Sequence, residues 1–326
     1  AKAGRQALVA FSGPRSLAAA SRYAAGSQEV PASNSSNFCL AIEELATGWA
    51  AGEVFVTSDA ALEAISPKTA ALMDKTSLVD AAAAVGLRAP ATHTFSSLRE
   101  LAVVKADLGA SVIVKPARNE PGGPSALKID RDEGVDGCAI VAGIAQPYYS
   151  GEMSSVSGVV WDGSLVASLQ QRYVRKFPVE AGTSSYAITE SVDQDTVGKL
   201  TTLLESHNGI FQAQFVEGLL IDLNLRPYGS MPLALAAGLN LPDIVCRLRQ
   251  GESVPFQTAA IGVRYRWLDG DVRSLLSDVR AGRRSPAEAA RHMWPRAGTS
   301  HSIFSLTDPR PWLTRLRTSS ETSDGR

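Results

Sequence analysis

The sequence predicts an α/β opening segment followed by a larger α+β body, and three observations carry that prediction. Apolar runs alternate with Ala-rich segments up to about residue 70. From Ser111 the texture changes to short strands separated by Gly-rich turns. After that, two strand pairs are joined through turn signals, Asp162-Gly163 and Glu217-Gly218.

In chain order, the run Ala7 to Phe11 reads as a buried strand, and Ser12-Gly13-Pro14 as a turn. The Ala-rich stretch that follows, through Ala25, suits a helix, and Gly52 to Thr57 is a second strand candidate. Ser66 before Pro67 is a helix start, because Ser caps free amides and Pro lacks the one that would go unpaired. That helix is expected to run to about Val85 and stop at Gly86. Strands are expected over Val112 to Lys115, from Ile140 toward Tyr148, and over Ser155 to Trp161 with Ser164 to Gln171. A helix over about Asp193 to His207 precedes two strands, Ile210 to Val216 and Leu219 to Leu225, and a helix-rich remainder. The domains expected are 1–70, 71–150 and 151–317, with a polar tail at 318–326.

Composition narrows the function classes. With 44% hydrophobic and 20% charged residues and a formal charge of -1, the chain has the balance of an ordinary globular protein and no polybasic surface. Nucleic acid is therefore not an expected partner. Cys39, Cys138 and Cys246 lie far apart without a CxxC pair and read as structural thiols. No apolar stretch reaches the length of a membrane span, no signal-peptide order opens the chain, and a cytoplasmic location is expected. His93, His207, His292 and His301 form no metal pattern, and no Ser sits in GxSxG, so a hydrolase triad is not supported.

The chemistry concentrates in the second strand pair. Alternation puts Gln212 and Gln214 on one face and Phe211, Ala213 and Phe215 on the other. Asp222 and Asn224 share a face against Leu219, Ile221 and Leu223. A three-residue loop with Gly218 at positive φ sets Gln214 opposite Asp222, so the polar groups converge. An oxygen-only set with one carboxylate suits Mg²⁺, although an amphipathic hairpin whose polar face meets water reads the same way. Arg226 adds a permanent cation just beyond that face, suited to a transferring phosphoryl group.

The stretch holding Asp222, Asn224, Arg226, Pro227, Gly229 and Ser230 resembles the "E-I-N-P-R-x-x-G-S" pattern of the ATP-grasp superfamily. The likeness is to its carboxylate-amine ligase-like members, related to carbamoyl-phosphate synthase and biotin carboxylase. It implies an ATP-grasp fold in which the α/β domain precedes two lobes that clamp ATP. It also implies Gln214, Asp222 and Asn224 as magnesium ligands and Arg226 as the catalytic contact to phosphate. Asp222 stands where the family has Glu, a side chain shorter by about 1.5 Å.

Asp74-Lys75, with Gly86, Pro90 and Thr92, resembles the family segment whose lysine reaches the phosphates, and Val112 to Pro116 resembles "V-V-K-P", with Lys115 under the α/β phosphates. Asn119 to Ser125 is similar to the phosphate flap, so Ser125 joins the ATP set. The stretch Ile144 to Glu152 is similar to the adenine hinge. By that likeness Gln146, Pro147, Tyr148 and Tyr149 meet the base, and Glu152 takes the ribose hydroxyls, unless the family's glutamate aligns with Met153. Arg172 and the loop with Thr183 and Ser184 resemble the part that faces the bound carboxylate, or else form a solvated surface hairpin.

The resemblance implies a ligase that uses ATP and Mg²⁺ to activate a carboxylate as an acyl phosphate and couples it to an amine. Small-molecule acids and amines are the expected partners, with amino acids among the candidates and a homodimer left open. Two alternatives stand beside it: a small-molecule kinase of the same fold, and a nucleotide-binding protein without turnover.

Overall fold

A computed structural model describes residues 3–13, 16–116 and 126–321, with side chains through 316. The flap segment 119–125, including Ser125, and most of the polar tail lie outside the described residues. Contacts divide the chain into two compact units, Ala1–Phe55 with His301–Arg326, and Val56–Ser300. The division falls at residue 56, and the last 26 residues join the N-terminal unit.

In the first unit, β1 (Ala7–Phe11) and β2 (Ala24–Glu29) pair in parallel, and α1 (Phe38–Gly48) and a C-terminal helix (Arg310–Glu321) accompany them. The helix expected through Ala25 is replaced by turns. Ser16 Oγ accepts from Ala19 N, while the Asp308 carboxylate accepts from the Ser21 hydroxyl and the Arg22 amide and so fixes the chain in a non-helical path. Gly52 to Thr57 forms no strand.

The second unit holds two sheets. It opens with α2 (Asp59–Ile65), α3 (Pro67–Ala71) and α4 (Leu78–Ala84). The smaller sheet is built from β3 (His93–Phe95), β4 (Val112–Pro116), β5 (Leu127–Ile129) and β6 (Gly143–Pro147), in the order β3-β6-β4-β5. Helix α5 (Leu98–Leu108) packs on it, capped by Ser97 and ended by Gly109 in the left-handed conformation. Leu101, Val112, Val114 and Ala145 form its core.

The larger sheet begins with β7 (Met153–Trp161), β8 (Ser164–Phe177) and β9 (Thr183–Glu190). After α6 (Gln194–Leu203) come β10 (Gly209–Val216) and β11 (Leu219–Asn224). Its path runs β11-β10-β7-β8-β9-β13, where β12 (Gln257–Thr258) pairs in parallel with β8 and β13 (Arg264–Arg266) with β9. Helices α7 (Met231–Ala236), α8 (Leu241–Arg249), α9 (Leu268–Arg280) and α10 (Pro286–Met293) complete the unit. Phe211, Ala213 and Phe215 of β10 enter a core with Leu200, Leu204 and Leu220, which leaves the other face of the strand for polar groups. Among the described residues no helix is long and apolar enough to cross a membrane.

Both tight turns follow the sequence, one with a difference. Asp162 and Gly163, at φ 47° and 70°, join Trp161 to Ser164 in a two-residue hairpin loop. The β10–β11 loop is also two residues long, Glu217 and Gly218 at φ 50° and 75°, rather than three. Val216 pairs with Leu219 and Phe215 with Leu220, yet Gln214 pairs with Asp222, so Ile221 is an extra residue in a β-bulge. The expected facing of Gln214 and Asp222 holds by this route. Leu220 therefore joins Leu223 in the core, where the sequence placed Ile221.

Candidate active site

A cleft of about 350 Å³ lies between the two sheets of the second unit. One wall comes from β4 and β6, with Ile113, Lys115 and Gln146 to Tyr149, and the other from β10 and β11, with Gln214, Asp222 and Asn224. Lys115 and Asn224 thus line one cleft from opposite sheets.

Lys75 reaches this cleft through a break in helix. In place of one helix from Ser66 to Val85, Asp74 Oδ1 accepts hydrogen bonds from Thr76 N at 2.7 Å and from Ser77 N at 3.4 Å. These bonds offer the backbone a turn instead of the helical ladder, and α3 and α4 stay separate. Lys75 Nζ comes to 3.5 Å from Asp222 Oδ1, with both side chains largely shielded.

Lys115 closes the opposite side. Its Nζ donates to the Ile221 carbonyl at 2.9 Å, so the bulged residue of β11 supplies the acceptor. Only 8% of Lys115 is exposed, and this desolvation lowers its pKa to about 8, with Asp222 working against the shift and Lys75 adding to it. Asp222 Oδ2 accepts from Asn224 Nδ2 at 3.0 Å, and Asn224 Oδ1 from Arg226 at 3.2 Å. Asp59 holds the other edge of the Arg226 guanidinium, with Nε to Oδ1 at 2.5 Å.

Under the oxygen face, Gln171 Nε2 donates to Ser155 at 2.9 Å and Ser230 at 2.8 Å, both within reach of Gln212 at 3.4 Å. This buried network fixes the floor. One carboxylate beside amide oxygens is a donor set that fits a hard cation such as Mg²⁺, which keeps several waters and needs few protein ligands.

At the end of β6, Gln146 gives its amide to Thr92 Oγ1 at 2.8 Å, so it anchors the segment, while Pro147, Tyr148 and Tyr149 line the cleft. Burial and a hydrogen bond to Glu180 push the Tyr148 phenol up to about 12.

Other expected residues are placed elsewhere. Thr183 lines the cleft, but Ser184 is buried outside it and Arg172 pairs with Glu190 at 2.6 Å. Glu152 is exposed, and Met153 occupies the wall in its place. The sequence reading missed Lys176, which lines the cleft and whose pKa is lowered by desolvation. Its signal was the long basic strand 172–176, which reads equally as a solvated edge. The loop that follows turns tightly: a Cβ on Gly182 would lie 2.0 Å from the Phe177 carbonyl carbon, so only glycine fits.

Several solved structures share the fold of this chain. Biotin carboxylase from Campylobacter jejuni, in a β,γ-ATP complex, is 13% identical with a TM-score of 0.59, over 81% of this chain and 70% of that one. This is the ATP-grasp fold. N5-carboxyaminoimidazole synthetase from Staphylococcus aureus, complexed with ADP, shares the fold at 14% identity and a TM-score of 0.56, over 72% of this chain and 68% of that one. L-amino acid ligase from Bacillus licheniformis does so at 13% and 0.53, over 70% and 63%. No family profile and no curated protein matches the chain. The ATP-grasp likeness is thus one of fold, and the site's own geometry has to carry its chemistry.

Proposed function

We propose that the chain is an ATP-dependent carboxylate-amine ligase working in this cleft. The observation that carries the reading is the charge of the lining: Lys75, Lys115, Lys176 and Arg226 against Asp222 and Glu180. Four cations facing two carboxylates make a site for a polyanion, and the apolar hinge beside Tyr148 and Tyr149 suits a flat base. The solved relatives in fold that carry ATP or ADP support a nucleotide as that polyanion.

Gln214, Asp222 and Asn224 would hold magnesium, which supplies charge neutralisation to phosphoryl oxygens when bound. Lys115 and Lys75 hold the polyphosphate from two sides. Arg226, fixed by Asp59, offers its guanidinium to charge that develops as the γ-phosphoryl group leaves. A substrate carboxylate oxygen attacks γ-phosphorus, the bond to the β-γ bridging oxygen breaks, and ADP leaves. An amine then attacks the acyl carbon and expels phosphate, with its proton passing to solvent. No side chain is required as a covalent carrier.

The test is ADP and phosphate release with a panel of amino acids and small carboxylates, with and without amines. A ligase releases phosphate in step with ADP only when both substrates are present. ADP without free phosphate indicates a kinase, and release of neither across the panel refutes turnover.

A further inference from the structure

We infer that Glu217, in the turn of the β10–β11 hairpin, is a positioning residue that holds the smaller sheet at a fixed span from the oxygen face; this rests on the nucleotide reading above. The chain enters the smaller sheet after Arg88 and leaves it before Gly151, since β3 starts at His93 and β6 ends at Pro147. Both crossings are fastened to this one turn. At the entrance, the Arg88 carbonyl accepts from Leu220 N at 2.8 Å, and Arg88 Nη2 donates to the Glu217 carbonyl at 3.5 Å. At the exit, Glu217 N donates to the Glu152 carbonyl at 3.0 Å, and Glu217 Oε1 accepts from Gly151 N at 2.8 Å. The exit carries Tyr148 and Tyr149, the wall proposed for the base, while β11 of the same hairpin carries Asp222 and Asn224. Glu217 thus ties the base wall to the strand of the oxygen face.

The residue type at this turn points the same way. Glu217 stands at φ 50°, in the left-handed region, where two-residue hairpin loops favour Asn, Asp or Gly. The matching turn at Asp162, φ 47°, has such a residue. A glutamate is one methylene longer than aspartate, and that length brings its carboxylate to Gly151. Gly151 is matched to it: a Cβ there would lie 2.3 Å from Glu217 Cγ and 2.4 Å from Oε1. Glu217 is exposed, so the bond adds little to folding. An unfavourable backbone conformation that keeps a long acid against a fitted glycine serves the contact rather than the turn.

The experiment titrates the full chain, as wild type, E217Q, E217D and E217G, with adenosine and with MgATP by calorimetry, and follows thermal unfolding without ligand. Adenosine needs the base wall alone, whereas MgATP has to meet that wall and the oxygen face together. E217D and E217G suit the turn but lack the reach to Gly151. They are expected to unfold at the wild-type temperature or above it and to bind adenosine as wild type does. Their MgATP affinity should fall about fivefold, the range of one hydrogen bond. E217Q keeps an oxygen at the same reach and should stay within about twofold of wild type for both ligands. Should a variant melt lower, the ratio of its two affinities, read well below its melting temperature, still decides. MgATP affinity unchanged in E217D and E217G, or a loss shared equally by adenosine, overturns the inference and spares the nucleotide reading. Wild type that binds neither ligand removes both.

Discussion

Raising the pH should release nucleotide from this cleft through Lys115. Its ammonium is buried, and its pKa stands at about 8 against an ordinary 10.5. That difference corresponds to about 3 kcal/mol of cost for keeping the charge in the empty cleft. A polyphosphate beside Nζ restores the charge, so above pH 8 binding must take up a proton. Affinity is then full at neutral pH and falls as pH rises through about 8. If the bound amine regains its ordinary value, the loss reaches about 30-fold by pH 9.5. Titration calorimetry of MgATP between pH 7 and 9.5, in buffers of different ionisation heat, measures both the affinity and the proton taken up. Lys115→Arg keeps a fixed charge and should flatten the profile, which separates Lys115 from Lys176. Wild-type affinity that stays level to pH 9.5, with no proton uptake, would refute the reasoning. The same shift acts on stability in the opposite sense. Without nucleotide, the unfolded chain binds more protons between pH 8 and 10.5, so the penalty is full below pH 8 and disappears as pH rises through that window.

Asp271, fully buried between Arg175 and Arg266, should cost about 3–5 kcal/mol when changed to Ala, because two guanidinium groups lose their shared carboxylate; urea unfolding measures it. Arg226→Lys should lower kcat by about 10²-fold with little change in ATP affinity, since lysine cannot offer two donors in one plane, and steady-state kinetics separate the two. Asp59→Ala should reproduce part of that loss by freeing the guanidinium. Asp222→Ala should abolish magnesium-dependent turnover while ATP remains bound through the hinge, and a variant that responds to magnesium like wild type would count against the oxygen face.

Much of this architecture was legible because period-2 patterning and turn chemistry act locally. The alternation of Phe211, Ala213 and Phe215 with Gln212 and Gln214 fixes a core face and a cleft face without knowledge of the rest of the chain. The pairing of Gln214 with Asp222 was legible, but the bulge that achieves it was not, since a three-residue loop and a two-residue loop with one extra residue give the same register. Asp74 illustrates another limit. Its side chain diverts Thr76 and Ser77 from a helix that apolar periodicity supports, and this competition between side chain and ladder leaves no trace in the periodicity. Arg172 and Lys176 lie on one basic strand, yet Arg172 turns to Glu190 and Lys176 to the cleft. Register irregularities around Arg175 decide between them, and these depend on the partner strand. Glu152, just before β7, and Met153, its first residue, are neighbours in the chain, and that single step is enough to exchange water for the cleft wall.

The extra residue in β11 separates two properties that usually change together. A chain lacking Ile221 would still pair Gln214 with Asp222, now as an uninterrupted ladder from the Glu217-Gly218 loop, so the oxygen face would survive the deletion. What would vanish is the bulged residue whose carbonyl receives Lys115. One codon at this point therefore tunes the tether of a cation without disturbing the facing acid and amides. Insertion and deletion in this hairpin are thus a route by which nucleotide affinity could drift between lineages while the machinery opposite stays in frame.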